Sequence, residues 1–231
     1  SPVVVLTGLN ATVQWVLVVL RRVFDILDEP ITTSDPPNPV PLTSVRGEVE
    51  FDHVSLRYPN ATTNALTDIN LKVPAGTTVA VMGPSGSGKS SMMNLIMRFY
   101  EPTEGHLRID GIDVRDVALH DLRKHISIVP QEITIFTGTI AENIMYGRFD
   151  AKPAQVIQAA KEAELHNFIM SMPEKYETYV GEHGTSLSGG QRQRLAIAMS
   201  LLTDPKILIL DDSTSALDAE TESRLRATLK R

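Results

Sequence analysis

The sequence predicts an α/β fold built on a parallel sheet, and three observations carry that expectation. Short apolar runs of strand length, at residues 78–82, 126–129 and 207–210, alternate with segments of helical periodicity. A glycine-rich loop joins the first of these runs to an apolar helical pattern, a strand–loop–helix order with a chemical purpose. Ahead of both, residues 48–58 alternate in strand fashion and add a β-rich entry.

Taken in order, residues 1–20 carry no charge, about the length that a bilayer-spanning helix needs. Arg21 and Arg22 follow the run instead of preceding it, which is the wrong order for a secretory signal and the right one for a cytoplasmic exit. Thr7, Asn10 and Gln14 stand at i, i+3 and i+7, so a helix running on to about Leu27 has one polar face. That stripe fits a solute pathway or hydrogen bonding between helices of a bundle. Since the chain begins at Ser1 without an initiator Met, it reads as a piece of something larger. Residues 30–41, PITTSDPPNPVP, hold five of the 14 prolines, which excludes helix and favours a semi-rigid connector. The expected division is therefore a linker over 30–46 and one main domain over 47–231.

Within that domain Val49, Phe51, Val54 and Leu56 mark the first strand, residues 69–73 a second, and residues 74–76 a turn. The apolar run at 78–82 leads into the glycine loop and a helix. Residues 126–129 form another strand, 153–170 and 190–202 carry helical patterns, and 207–210 form the last apolar strand. No internal repeat is present, and no low-complexity tract apart from the prolines.

Composition narrows the function classes. A length of 231 residues allows one large domain with an appendage, and 42% hydrophobic with 22% charged residues exclude disorder and collagen-like folds. A net charge of −6 provides no basic field for nucleic-acid phosphates. The absence of cysteine excludes disulfides and thiolate zinc sites and suits a reducing compartment.

Gly83, Pro84, Ser85, Gly86, Ser87, Gly88, Lys89 and Ser90 complete the pattern GxxxxGK[ST]. Glycines let the backbone N–H groups curl inward, and the helix N-terminus adds the positive end of its dipole, which together make a phosphate cradle. Lys89 is placed to reach the β- and γ-phosphates, and Ser90 to offer its hydroxyl to Mg²⁺. The strand at 207–210 ends in Asp211 and Asp212. In a protein with such a loop the first acid holds the Mg²⁺ shell and the second aligns or deprotonates the attacking water.

Leu187, Ser188, Gly189, Gly190 and Gln191, followed by Arg192-Gln193-Arg194, lie between these two elements and resemble the signature of ATP-binding-cassette proteins. Residues 47–231 as a whole resemble the nucleotide-binding domain of an ABC transporter of exporter type. The resemblance implies a P-loop NTPase (ABC ATPase) core with a β-rich N-terminal subdomain and a helical signature subdomain, binding ATP with Mg²⁺. It makes Tyr58 the aromatic that stacks on adenine and adds Ser91 to the ATP-binding set. Gln131 resembles the glutamine that senses Mg²⁺ and the γ-phosphate and links to the membrane domain. Residues 178–184, TYVGEHG, resemble the exporter element whose acid, here Glu182, touches intracellular loops of the membrane domain; residues 215–218 resemble the loop that crosses the dimer interface. Family members pack two such domains head to tail, so the signature of one, offering hydroxyl and amide groups, closes over ATP held by the other. By the same likeness residues 1–29, with Arg21 and Arg22 after the uncharged run, resemble the end of an exporter's last transmembrane helix and its cytoplasmic extension, which implies membrane attachment with the domain on the cytoplasmic side; the likeness and the acidic balance both count against a nucleic-acid partner.

Two departures qualify it. The family places glutamate where this chain has Asp212; aspartate is one methylene shorter, a setback of over ~1 Å, and such misplacement can cost on the order of 10²-fold in rate. The family's switch histidine lies on a strand after the helix that follows Asp218, and all six histidines precede Asp211, so the domain reads as truncated at its C-terminus. An intact signature beside a weakened site implies a heterodimeric exporter, the other subunit supplying the competent glutamate; a homodimer is the alternative. Two rival readings stand beside the export ATPase: a module in which ATP is a lasting dimer clamp with negligible hydrolysis, and a soluble ABC ATPase. The transported solute is not legible.

Overall fold

The computed structural model describes residues 2–28, 33–181, 184–211 and 219–229. The chain divides into two compact units, Ser1–Ser34 and Asp35–Arg231. The first is the helix α1 (Pro2–Leu27), as the uncharged run predicts, with its side chains over 13–28 exposed. Among the described residues no helix is long and apolar enough to cross a membrane.

The second unit begins inside the stretch read as a semi-rigid linker. Asp35 accepts a hydrogen bond from the N–H of Leu119 over 2.7 Å, Val40 donates to the carbonyl of Asp116, and Leu42 is buried. Prolines keep this segment extended, so its backbone groups bond to neighbours outside it rather than to each other.

The β-rich entry is a four-stranded antiparallel sheet of β1 (Val49–Leu56), β2 (Leu66–Val73), β3 (Glu104–Ile109) and β4 (Ile112–Asp113), in the order β2-β1-β3-β4. Phe51 lies opposite Leu71 on one side and Leu107 on the other. Asp110, in the turn after β3, accepts N–H bonds from Arg46, Gly47 and Glu48 and so fixes where β1 starts. Burial alone would raise its carboxyl pKa, but those three donors hold it below the usual carboxylate value.

Between β2 and β3 lies α2 (Lys89–Ile96); α3 (Leu119–Arg123) precedes β5 (Ile126–Val129). Next come β6 (Gly138–Thr139), α4 (Ile140–Met145), α5 (Pro153–Glu162), α6 (His166–Ser171), β7 (Tyr179–Val180), α7 (Gly189–Leu202), β8 (Ile207–Leu210) and α8 (Ala219–Leu229). β5 and β8 pair in parallel, Val129 opposite Leu210. Period-two alternation sends their side chains two ways. Ile126, Ile128, Ile207 and Ile209 join the core of the β-rich sheet and α2, which includes Phe51, Leu95 and Leu107. Val129, Leu208 and Leu210 join a second core with Ile144, Ile169, Leu195 and Ile197 from the helices. The strand pair is thus covered on both faces, as parallel strands require, and each fully buried Leu or Ile adds roughly 1.5–3 kcal/mol of burial.

Two expectations differ from the structure. Residues 78–82 form no ladder with any described strand; Val79 and Val81 are about half exposed and Met82 is 89% exposed. An apolar run becomes a strand only where a neighbour supplies its hydrogen bonds, and among the described residues β5 and β8 pair with each other alone. The helical pattern at 153–170 is two helices. Glu164 adopts φ 56°, and the buried Ala163 and Leu165 beside it let α6 turn Ile169 into the core that α5 already serves.

Candidate functional site

The glycine loop curls as its composition requires. Gly86 and Gly88 have φ of 79° and 92°, and a Cβ on Gly88 would stand 2.8 Å from the carbonyl oxygen of Ala65, so neither dihedral nor space admits a side chain there. Gly88 is also the N-cap of α2 and provides no capping side chain, which leaves the first N–H groups of the helix without an intrahelical acceptor. Lys89 folds back over the loop: its Nζ donates to the carbonyls of Gly83 and Pro84, each over 2.8 Å. An ammonium has three N–H bonds, so a donor remains for an anion. Ser87 donates its N–H to Pro84, closing the turn, and residues 83–87 and Ser90 are exposed. Uncapped amides, a fixed ammonium and an exposed hydroxyl fit a polyphosphate carrying a hard divalent cation.

Tyr58 stands just beyond β1 and is half-buried. Its hydroxyl donates to Oγ of Ser91 over 2.9 Å and its ring meets Tyr100 edge to face, centroids 4.7 Å apart. Ser91 is 8% exposed, and its hydroxyl is turned to Tyr58.

Asp211 and Gln131 emerge at the same end of the parallel pair. Asp211 donates its N–H to the carbonyl of Val129 over 3.0 Å, and the exposed Gln131 follows Val129 by two residues. The strand pair and α2 share one core, through Leu95 and Ile209, which ties these residues to the loop helix.

The signature residues open α7. Ser188 is its N-cap, accepting from the N–H of Gln191 over 3.3 Å, while Oε1 of Gln191 accepts from the N–H of Ser188 over 2.7 Å. This reciprocal cap uses the oxygen of Ser188 and leaves its O–H free to donate. Leu187 is buried in the helical core, and its carbonyl accepts from Arg192 over 2.7 Å. Gly189 and Gly190, partly exposed, carry no side chain over the helix N-terminus. The loop helix and the signature helix therefore belong to different cores of one chain. Asp212, Glu182 and residues 215–218 lie outside the described residues.

Four contacts had no local signal in the sequence. Asn94 and Tyr100 frame Tyr58; on the surface Phe136 stacks on Tyr146 with centroids 4.0 Å apart, and Phe149 meets Tyr146 edge to face at 5.4 Å. Among the described residues no group of three or more His, Cys, Asp or Glu could hold a metal.

The sequence model of the ABC transporter family matches residues 66–215. The chain is 47% identical over 230 residues to an ATP-dependent lipid A-core flippase of Legionella pneumophila (strain Paris), covering 100% of this chain and 39% of that protein. It is 46% identical over 229 residues to the putative multidrug export ATP-binding/permease protein YgaD of Bacillus subtilis (strain 168), 99% of this chain and 40% of that one. Over 214 residues it is 50% identical to ABC transporter B family member 1 of Arabidopsis thaliana, 91% of this chain and 17% of that one. A solved bacterial Atm1-family ABC exporter with ATP bound superposes with a TM-score of 0.87 at 42% identity, covering 95% of this chain and 38% of that chain. The chain thus spans two fifths or less of the length of these relatives.

Proposed function

Because the chain belongs to the ABC transporter family, we propose that it serves as the ATP-binding and hydrolysing domain of a membrane exporter, working as one of two such domains that close on ATP. The observation that carries this reading is the separation of loop and signature. Lys89 and the uncapped start of α2 stand on the β-rich core, while Ser188 and the start of α7 stand on the helical core. A signature presenting a free O–H and bare amides, yet built on another core than its own loop, is suited to the phosphates of a second domain.

In this mechanism Lys89 and the loop amides hold the β- and γ-phosphates, and Tyr58 carries the adenine ring. Ser90, Gln131 and Asp211 would hold Mg²⁺, which neutralises phosphate charge. Asp212 accepts a proton from the attacking water as its oxygen bonds to the γ-phosphorus and ADP leaves. Ser188, Gly189 and Gly190 close over the partner domain's γ-phosphate, so ATP favours the closed pair and its hydrolysis releases it. Glu182 and Gln131 pass the movement to a membrane domain, and the membrane reading places this domain on the cytoplasmic side.

Asp212 supports a refinement. A short acid at its own site beside an intact signature fits a heterodimer in which this chain completes a competent site on another subunit; it also favours, for this chain alone, the reading of ATP as a slow clamp. Steady-state phosphate release by this chain alone, and by the full-length protein purified from its source membrane, tests both. Release that rises several-fold in the full-length protein with a distinct second subunit supports the heterodimer. A full-length chain found only with itself, and no faster with Asp212→Glu, would remove it.

A further inference from the structure

Three groups meet Tyr58, two at its hydroxyl and one at its ring. Its hydroxyl donates to Oγ of Ser91 over 2.9 Å, Nδ2 of Asn94 donates to that same hydroxyl over 3.4 Å, and Tyr100 packs on its ring at 90°. A ring that served only as a flat surface would need no hydroxyl, and phenylalanine would do. Here the hydroxyl is half-buried and bonded to a serine that is itself 8% exposed, so leaving the bond unmade has a desolvation cost. Ser91 and Asn94 are three residues apart on α2, hence on one face of the helix that begins with Lys89 and Ser90.

We propose that Ser91, with Asn94 behind it, is a positioning residue that fixes the plane of Tyr58, so that base recognition is keyed to the phosphate-loop helix through the tyrosine hydroxyl. This rests on the reading of Tyr58 as the adenine platform. A ring with two torsions held at its far end and along one edge presents one orientation to a base, and that orientation is set relative to the amides that hold the phosphates. Base and phosphates are then recognised by one rigid unit. Tyr58 is consequently not interchangeable with phenylalanine, although both rings stack.

The test is calorimetric titration of the chain with ATP and, separately, with inorganic tripolyphosphate, both with Mg²⁺. Tyr58→Phe and Ser91→Ala should each weaken ATP binding about 3- to 10-fold and leave tripolyphosphate binding unchanged. The double variant should bind ATP no more weakly than Tyr58→Phe alone, because that substitution already removes the bond to Ser91, and Ser91→Thr should retain wild-type affinity. Wild-type ATP affinity in Tyr58→Phe, with weak binding in Tyr58→Ala, would overturn the tether and leave the platform standing. Wild-type affinity in Tyr58→Ala would overturn platform and tether together. A loss in Ser91→Ala shared equally by tripolyphosphate would assign Ser91 to the phosphates and overturn its role through Tyr58.

Discussion

The N–H of Asp211 donates to the carbonyl of Val129 over 3.0 Å, one step beyond the last ladder pair of β5 and β8. That bond carries β8 past its final apolar residue and delivers its first acid beside the exit of β5, where Gln131 follows. A carboxylate and an amide side chain, remote in sequence, thereby leave one end of one strand pair.

The residue after it gives the first prediction. Asp212→Glu extends the carboxylate by a methylene, over ~1 Å, and should raise turnover at this site by up to the order of 10²-fold. Single-turnover phosphate release from the preformed ATP complex measures it, with ATP affinity unchanged. A rate equal to that of the wild type would mean that aspartate already reaches the water.

Lys89→Ala should abolish saturable ATP binding. Charge-assisted hydrogen bonds are worth roughly 1.5–3 kcal/mol each, so losing those to phosphate weakens binding by at least on the order of 10- to 100-fold. The bonds of Lys89 to Gly83 and Pro84 are exposed, so the melting temperature should move little. Nucleotide titration beside a thermal melt separates the two effects.

Substitutions can part the capping role of Ser188 from the role at a second domain proposed for it. Ser188→Ala removes a helix cap, costing ~1 kcal/mol, and also removes the O–H offered to a second domain. Ser188→Asn keeps a capping oxygen and should recover the melting temperature. It should not recover ATPase activity in the assembled transporter.

Asp113 predicts an acid limit. Burial alone would raise its pKa, but hydrogen bonds from the Arg115 side chain, the Arg115 N–H and His106 outweigh burial and bring it to about 2. The folded value lies below the unfolded one. Its contribution is therefore present above roughly pH 4 and lost as pH falls through about 2, because the unfolded chain binds the proton first. Asp113→Asn should cost ~1–2 kcal/mol at pH 7, after allowance for solvent screening, and flatten the fall in melting temperature on acidification.

Much of the site was legible because its chemistry is local. The loop from Gly83 to Ser90 is contiguous, so residue type and order suffice, and the apolar runs at 126–129 and 207–210 are strands as read. What was not legible depends on pairs. Whether 78–82 is a strand is decided by a neighbour, not by its own alternation. The hydroxyl partner of Tyr58 lies 33 residues away, and Glu164 takes a left-handed conformation that a glutamate does not announce. The cap at Ser188 was missed for another reason: Ser-x-x-Gln is a visible capping pattern, but the same residues carry the family likeness, and one reading hid the other.

The strand pair β5–β8 is a party wall between two rooms. Ile126, Ile128, Ile207 and Ile209 furnish one side, and Val129, Leu208 and Leu210 the other. The two strands that divide these cores are each four residues long. Asp211 and Gln131 stand at the edge of that partition. On the reading proposed above they would hold Mg²⁺ there, and a change of length in either strand would be read both at the phosphates and in the helical core.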